Sequence, residues 1–258
     1  MVRSGSTCDH KGMPLFYLRR LTGSKRTDTA NRHLARYLAF VAGAANAGGF
    51  LAVRQYTSHM TGIVSAMADN LAVGSLSLVS NGLAAILSFL LGAFLTTLLV
   101  RWARSRTLES EYALPLIVEA ILLVLFGVTG RVFAGERVLG TVMLLCFTMG
   151  LQNAIITKLS NSVIRTTHLT GMFTDIGIAL GRIVSLGSMQ IQPPIQSELR
   201  KLRLLASLIV LFFIGGVTGA LGFKHVGFFF TLPLAGVLLL LAAMPIVDDI
   251  RRPVATTA

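Results

Sequence analysis

The sequence predicts an all-α integral membrane protein made of two internal repeats, with six transmembrane helices and two polar, histidine-led membrane segments. Three observations predict it. Of 258 residues, 53% are hydrophobic and only 13% charged, and the mean hydropathy of +0.73 belongs to a chain that lives in a bilayer rather than in water. Six apolar runs, 37–53, 83–100, 113–130, 138–157, 204–223 and 226–247, reach or approach the length that crosses the hydrocarbon core as a helix. A lone strand would leave its backbone unsatisfied in lipid, so these runs are helices. Finally, one polar phrase is written twice, as TSHMTG from Thr57 to Gly62 and as TTHLTG from Thr166 to Gly171.

Taken in order, residues 1–35 are rich in Arg, Lys, Ser and Thr, and hold no apolar core long enough for a signal peptide. They read as a flexible basic cytosolic tail that keeps the N-terminus inside; the same charge also suits anionic headgroups. Residues 36–250 form one membrane domain, with repeat one at about 37–130 and repeat two at about 138–247, and 251–258 form a C-terminal tail. The net charge of +12 is split between tail and short loops, with no basic stripe, so no nucleic-acid partner is expected. Cys8 lies in the tail and Cys146 in an apolar run, a setting that suits neither a disulfide nor a cysteine metal site.

The repeat has a register. GAANA at 43–47 returns as GLQNA at 150–154, SHMTG at 58–62 as THLTG at 167–171, FLLGA at 89–93 as FFIGG at 212–216, and LPL at 114–116 recurs at 232–234. Four matches in the same order point to an ancient duplication. Transporter folds are often built this way, with substrate or ion sites near the midplane where the repeats meet. The order G-x-x-N-A, then [ST]-H-x-T-G opening a polar membrane segment, then a Gly-rich helix, resembles the YoaK-like family of bacterial membrane proteins of unknown function, over nearly all of residues 36–247. The resemblance implies a small-molecule transporter and supplies no substrate or mechanism.

The polar residues of the two His-led segments are the candidate site. A charge at membrane depth is costly and faces a protein interior or a water-filled cavity. Asp69 follows His59 by ten residues and Asp175 follows His168 by seven, offsets that place both acids on nearly one face of the repeat unit. On the functional reading His59, Thr61 and Asp69 meet His168, Thr170 and Asp175 around a polar cavity that binds a solute or carries a proton. On the structural reading these side chains cap helix ends or bond back to carbonyls, the stronger reading for the two threonines.

Glu119 is the one acid inside a strongly apolar run, and Val237 stands at its counterpart in the second half. It is a proton site, a partner of Arg182 or of a loop arginine such as Arg101, or a group close enough to the helix end to reach the interface. Asn46 and Asn153 sit among small residues that let helices approach and hydrogen-bond across, or mark a stretch that unwinds to offer carbonyls to an ion. Gly62 and Gly171 close the repeated phrase, and Gly215 and Gly219 form a G-x-x-x-G packing pair. Signatures of hydrolases, ATPases, zinc proteases and C-x-x-C proteins are absent, so neither catalytic residues nor cofactor nor metal is expected.

These features lead to a secondary transporter or permease for an unidentified small solute, multi-pass in the inner (plasma) membrane. The alternative is a non-transporting assembly, sensing or lipid-binding module. If each His-led segment dips in and returns, there are six spans and inverted halves, with nine loop and segment cations on the side of the termini against Arg54, Arg131, Arg137 and Lys224. Eight spans in parallel halves would leave six against seven, so the charge rule favours six.

Overall fold

The computed structural model describes residues 21, 27–136, 138–159, 169–185 and 195–251. Among them the chain is all helical: α1 Asp28–Val53, α2 Met60–Ala72, α3 Leu76–Ser105, α4 Ala113–Glu136, α5 Val138–Leu159, α6 Leu169–Ser185, α7 Ile195–Val226, a 3-10 turn Gly227–Phe230 and α8 Thr231–Arg251. Four stretches are long and apolar enough to cross a membrane: Asp28–Val53, Leu76–Ser105, Val138–Lys158 and the 57-residue Ile195–Arg251. The last is two helices, because Gly227 at φ 71 turns the chain back and Phe230 folds onto Gly222. The two His-led segments are the short helices α2 and α6, of 13 and 17 residues. At about 20 and 26 Å they fall short of a hydrocarbon core of about 30 Å.

The expected flexible tail ends sooner than residue 35. Thr27 caps α1 by accepting a hydrogen bond from the Ala30 backbone N–H at 3.3 Å, and Asp28 sits in the first turn, where the helix dipole favours an acid. Residues 28–35 are therefore helix, and Arg36 Nε donates to Ser207 Oγ on α7 at 3.0 Å. Most of the remaining tail, at 1–20 and 22–26, lies outside the described residues, as does 252–258.

Two crossings of the same kind hold the bundle. In the first, α1 and α7 run side by side in parallel, shown by contacts that advance together from Arg36 with Ser207 to Gly48 with Phe223. A Cβ on Gly43 would lie 2.0 Å from the Phe212 carbonyl oxygen, and one on Gly215 would lie 2.1 Å from that of Phe40. In the second, α3 and α5 do the same: a Cβ on Gly150 would lie 2.0 Å from the Phe89 oxygen, and one on Gly92 2.0 Å from that of Phe147. The glycines, Phe89 and Phe212 occupy matched places in the repeated phrases, and Phe40 and Phe147 each stand three residues ahead of Gly43 and Gly150. Further along, Thr96 Oγ1 donates to the Leu151 carbonyl at 3.1 Å, where the other crossing sets Gly219 against Ala44. Small residues let the backbones touch, and dispersion then substitutes for the hydrophobic drive that lipid does not supply.

The remaining helices complete a core. Helices α4 and α8 pack antiparallel, with Thr231 Oγ1 over Gly127 near one end and the Asp249 carboxylate accepting the Glu109 and Ser110 N–H groups, at 2.8 and 2.9 Å, at the other. Leu34 and Leu38 of α1, Leu116 and Leu123 of α4, Leu208 of α7 and Leu238 of α8 meet in one buried cluster. Leu87, Leu91 and Phe94 of α3 and Phe213, Val217 and Leu221 of α7 are exposed instead, which makes an apolar outer surface of the kind lipid covers.

Candidate functional site

The polar phrase after α1 folds back on the helix it has just left. Arg54 takes a left-handed conformation at φ 56 and donates its N–H to the Phe50 carbonyl at 2.8 Å, closing α1. The chain then reverses: the Tyr56 ring stacks on Phe50 with centroids 4.6 Å apart, Thr57 is buried against Gly49, and Ser58 Oγ donates to Asn46 Oδ1 at 2.9 Å. Ser58 thus touches a residue two turns inside α1. Helix α2 starts from that depth and leaves antiparallel to α3, with Met67 over Gly82 and Ile63 packed with Ala85.

His59 stands at the N-terminal boundary of α2 and makes no capping hydrogen bond with its side chain. Its ring lies over Gly62, where a Cβ would be 2.5 Å from Nδ1. That contact accounts for the glycine of the phrase. It also removes the capping explanation for this histidine.

A cavity of about 490 Å³ opens beside the turn. Arg54, Gln55, Tyr56 and His59 line one side, Asn70 and Asn81 another, and Ile63, Met67, Ala85 and Val142 supply apolar walls. A second cavity of about 470 Å³ lies on the other side of Tyr56, which lines both. It is bounded by Asn46, Phe50, Leu169, Phe173 and Phe212 among others, and its walls are mainly apolar. Each cavity thus draws on one His-led segment, through α2 for the first and α6 for the second.

The other expected site residues do not gather at one place. Thr61 and Asp69 are exposed on α2 and line neither cavity. His168 lies outside the described residues; Thr170 and Gly171 are exposed at the start of α6. Asp175 is paired with Lys201 at 3.4 Å, next to the Arg182–Glu198 pair at 3.1 Å, so α6 is tied to α7 by two ion pairs. Asn46 and Asn153 are buried within continuous helices. The unwound-helix expectation is therefore corrected: i→i+4 bonding persists through both, and the close crossings at Gly43 and Gly150 are what the small residues serve.

Glu119 is 0% exposed, and neither carboxyl oxygen has a hydrogen-bond partner among the described residues. Both expected pairings fail, since Arg182 bonds Glu198 and Arg101 is exposed away from it. So does the idea that it reaches the interface: six residues into α4, it is fully buried within the bundle. Gln152, in the repeated G-L-Q-N-A phrase, was not singled out by the sequence; it is 0% exposed, its Nε2 donates to the Leu38 carbonyl at 3.3 Å, and its Oε1 is unpaired among the described residues. Arg54 and Tyr56 were also missed. Their signal was adjacency to the repeated phrase, since they occupy the two positions that end α1 and start its reversal.

The model of a family described as protein of unknown function, DUF1275, matches residues 34–244. The matched span covers both copies of the polar phrase. No curated protein and no solved structure matches the chain.

Proposed function

The chain belongs to the family of proteins of unknown function DUF1275, and from that premise we propose that it is a secondary transporter or permease for a small solute, crossing the inner membrane six times with inverted halves. The observation that carries the reading is the pair of reciprocal crossings, in which the first helix of each half packs on the third helix-forming run of the other through matched Phe and Gly residues. Helices α2 and α6 are then half-length segments that enter and leave on the same side, α2 from the face away from the termini and α6 from the face that holds them. Arg101, Arg104, Arg106, Arg200, Lys201 and Arg203 gather on the terminal face against Arg54 and Lys224 on the other, the distribution of a terminal face in the cytoplasm.

Alternating access needs a vestibule in each half, and a cavity lies beside each of α2 and α6, the two differently shaped. Gly82 and Ala85 leave room beside α2, whereas the same register in the second half holds Leu205 and Leu208, buried with Met172 and Ala35. The ion pairs Asp175–Lys201 and Arg182–Glu198 hold α6 against α7 in the second half. His59 serves the solute site and Glu119 the coupling proton. A module whose polar segments only packed the halves together would have no use for a cavity lined by Arg54, Gln55, His59 and Asn81. The test is to load proteoliposomes with a metabolite extract and follow efflux by mass spectrometry. Selective loss of one or a few solutes, abolished by His59→Ala, is the expected result; leakage equal to that of empty liposomes under every ion gradient would refute transport.

A further inference from the structure

We infer that the cavity beside α2 takes a small organic anion with a short apolar body, its charge held by Arg54 and His59 and its body laid against Ile63, Met67, Ala85 and Val142. The inference rests on the transport reading only for the steps after binding; the recognition itself is argued from the cavity. Its volume of about 490 Å³ suits a metabolite-sized ligand. Among the described residues that line it, Arg54 is the one permanently charged group and His59 the one imidazole, and none is an acid. Neither forms an ion pair with another described residue. The nearest acid in sequence, Asp69, is exposed on α2 outside the lining.

The neutral groups agree with this charge. Gln55 and Asn81 add amide donors to the lining, while the Asn70 amide is already committed to the Ala66 carbonyl at 2.7 Å. A guanidinium fits a carboxylate through two parallel hydrogen bonds, and charge-assisted bonds of this kind are roughly twice as strong as neutral ones. The opposite wall is apolar and gains from covering a hydrocarbon chain. A cation would be repelled by Arg54, and a fully polar solute would leave the Ile63 and Val142 wall unmatched.

The experiment uses purified, delipidated full-length protein in detergent, with a single cysteine at Ala66→Cys in a background lacking Cys8 and Cys146. Because Ala66 lines the cavity, ligand occupancy slows alkylation of that cysteine. The probes share a six-carbon body: hexanoate, hexanol and hexylammonium. Hexanoate is expected to protect most strongly, and Arg54→Gln to weaken that protection by roughly tenfold or more through loss of the guanidinium's charge-assisted hydrogen bonds, with Arg54→Lys retaining part of it. Weak hexanol protection, unchanged in Arg54→Gln, reports an intact cavity. Equal protection by hexanoate and hexylammonium, or an unaltered hexanoate effect in Arg54→Gln, would overturn the inference. Protection by phosphatidylglycerol with none by hexanoate would overturn it too, in favour of a lipid headgroup. Since no flux is measured, failure of transport leaves this result standing, and the reverse also holds.

Discussion

Replacing Gly43 and Gly150 by alanine tests the architecture most directly, because two residues 107 positions apart should behave alike. At each, the added Cβ would sit 2.0 Å from a carbonyl oxygen of the facing helix, that of Phe212 or Phe89. Carbon and carbonyl oxygen approach to about 3.3 Å at best, so each crossing must open by more than about 1 Å. The obstacle is backbone, which cannot rotate away as a side chain can. A gap of 0.5–1 Å forfeits about a quarter to a half of the dispersion well at every contact along the seam. Overpacking costs about 1–3 kcal/mol and sometimes more, and alanine returns about 1 kcal/mol of helix propensity. The net expectation is a loss of up to about 2 kcal/mol for each single variant. Gly43 and Gly150 press on different partners, so the double variant should lose the sum within about 0.5 kcal/mol. The control is Gly236→Ala on α8, where a Cβ meets nothing within 4 Å and the change is neutral or slightly stabilising. Thermal melting in detergent, read by the fraction remaining monodisperse on size exclusion, gives the ranking. If Gly150→Ala melts with wild type while Gly43→Ala collapses, the crossings are not equivalent. If both track Gly236→Ala, the close approach is wrong.

Glu119→Leu should raise stability by about 1–3 kcal/mol, because it exchanges two buried oxygens with no partner among the described residues for an apolar side chain of similar size, and should stop transport. Melting no higher than wild type would show that the carboxyl has a partner. Glu119→Gln should preserve solute binding and flatten the pH dependence of uptake, whereas an unchanged pH profile would remove it from coupling. Gly62→Ala should reproduce the uptake defect of His59→Ala, since its Cβ falls 2.5 Å from Nδ1 and turns the ring, and the double variant should be no worse than either; normal uptake in Gly62→Ala would release His59 from the site. Single cysteines at the exposed positions Asn81 and Ser105 should label from opposite sides of intact cells, Asn81 from outside and Ser105 from the cytosol. The reverse pattern would support eight spans.

The sequence by itself determined the helices and their partition. Each of the first five apolar runs lies inside one helix, and the sixth passes through the turn at Gly227 into α8, because a segment in lipid has no other way to satisfy its backbone. It also marked the glycines and asparagines of the matched phrases, although only as packing candidates. Pairing was decided by tertiary structure. That Gly43 meets Phe212 and Gly150 meets Phe89, helices from opposite halves, follows from surface shape at separations of well over a hundred residues in one case and about sixty in the other, which no local period encodes. The site divides in the same way. Polarity in an apolar chain exposed His59 and Glu119, since each is costly wherever it lies. Their fates were set by neighbours: His59 stands on a cavity because Ser58 reaches back to Asn46 and Gly82 leaves space, Asp175 is taken up by Lys201, and Glu119 is sealed among apolar helices that contribute it no partner among the described residues.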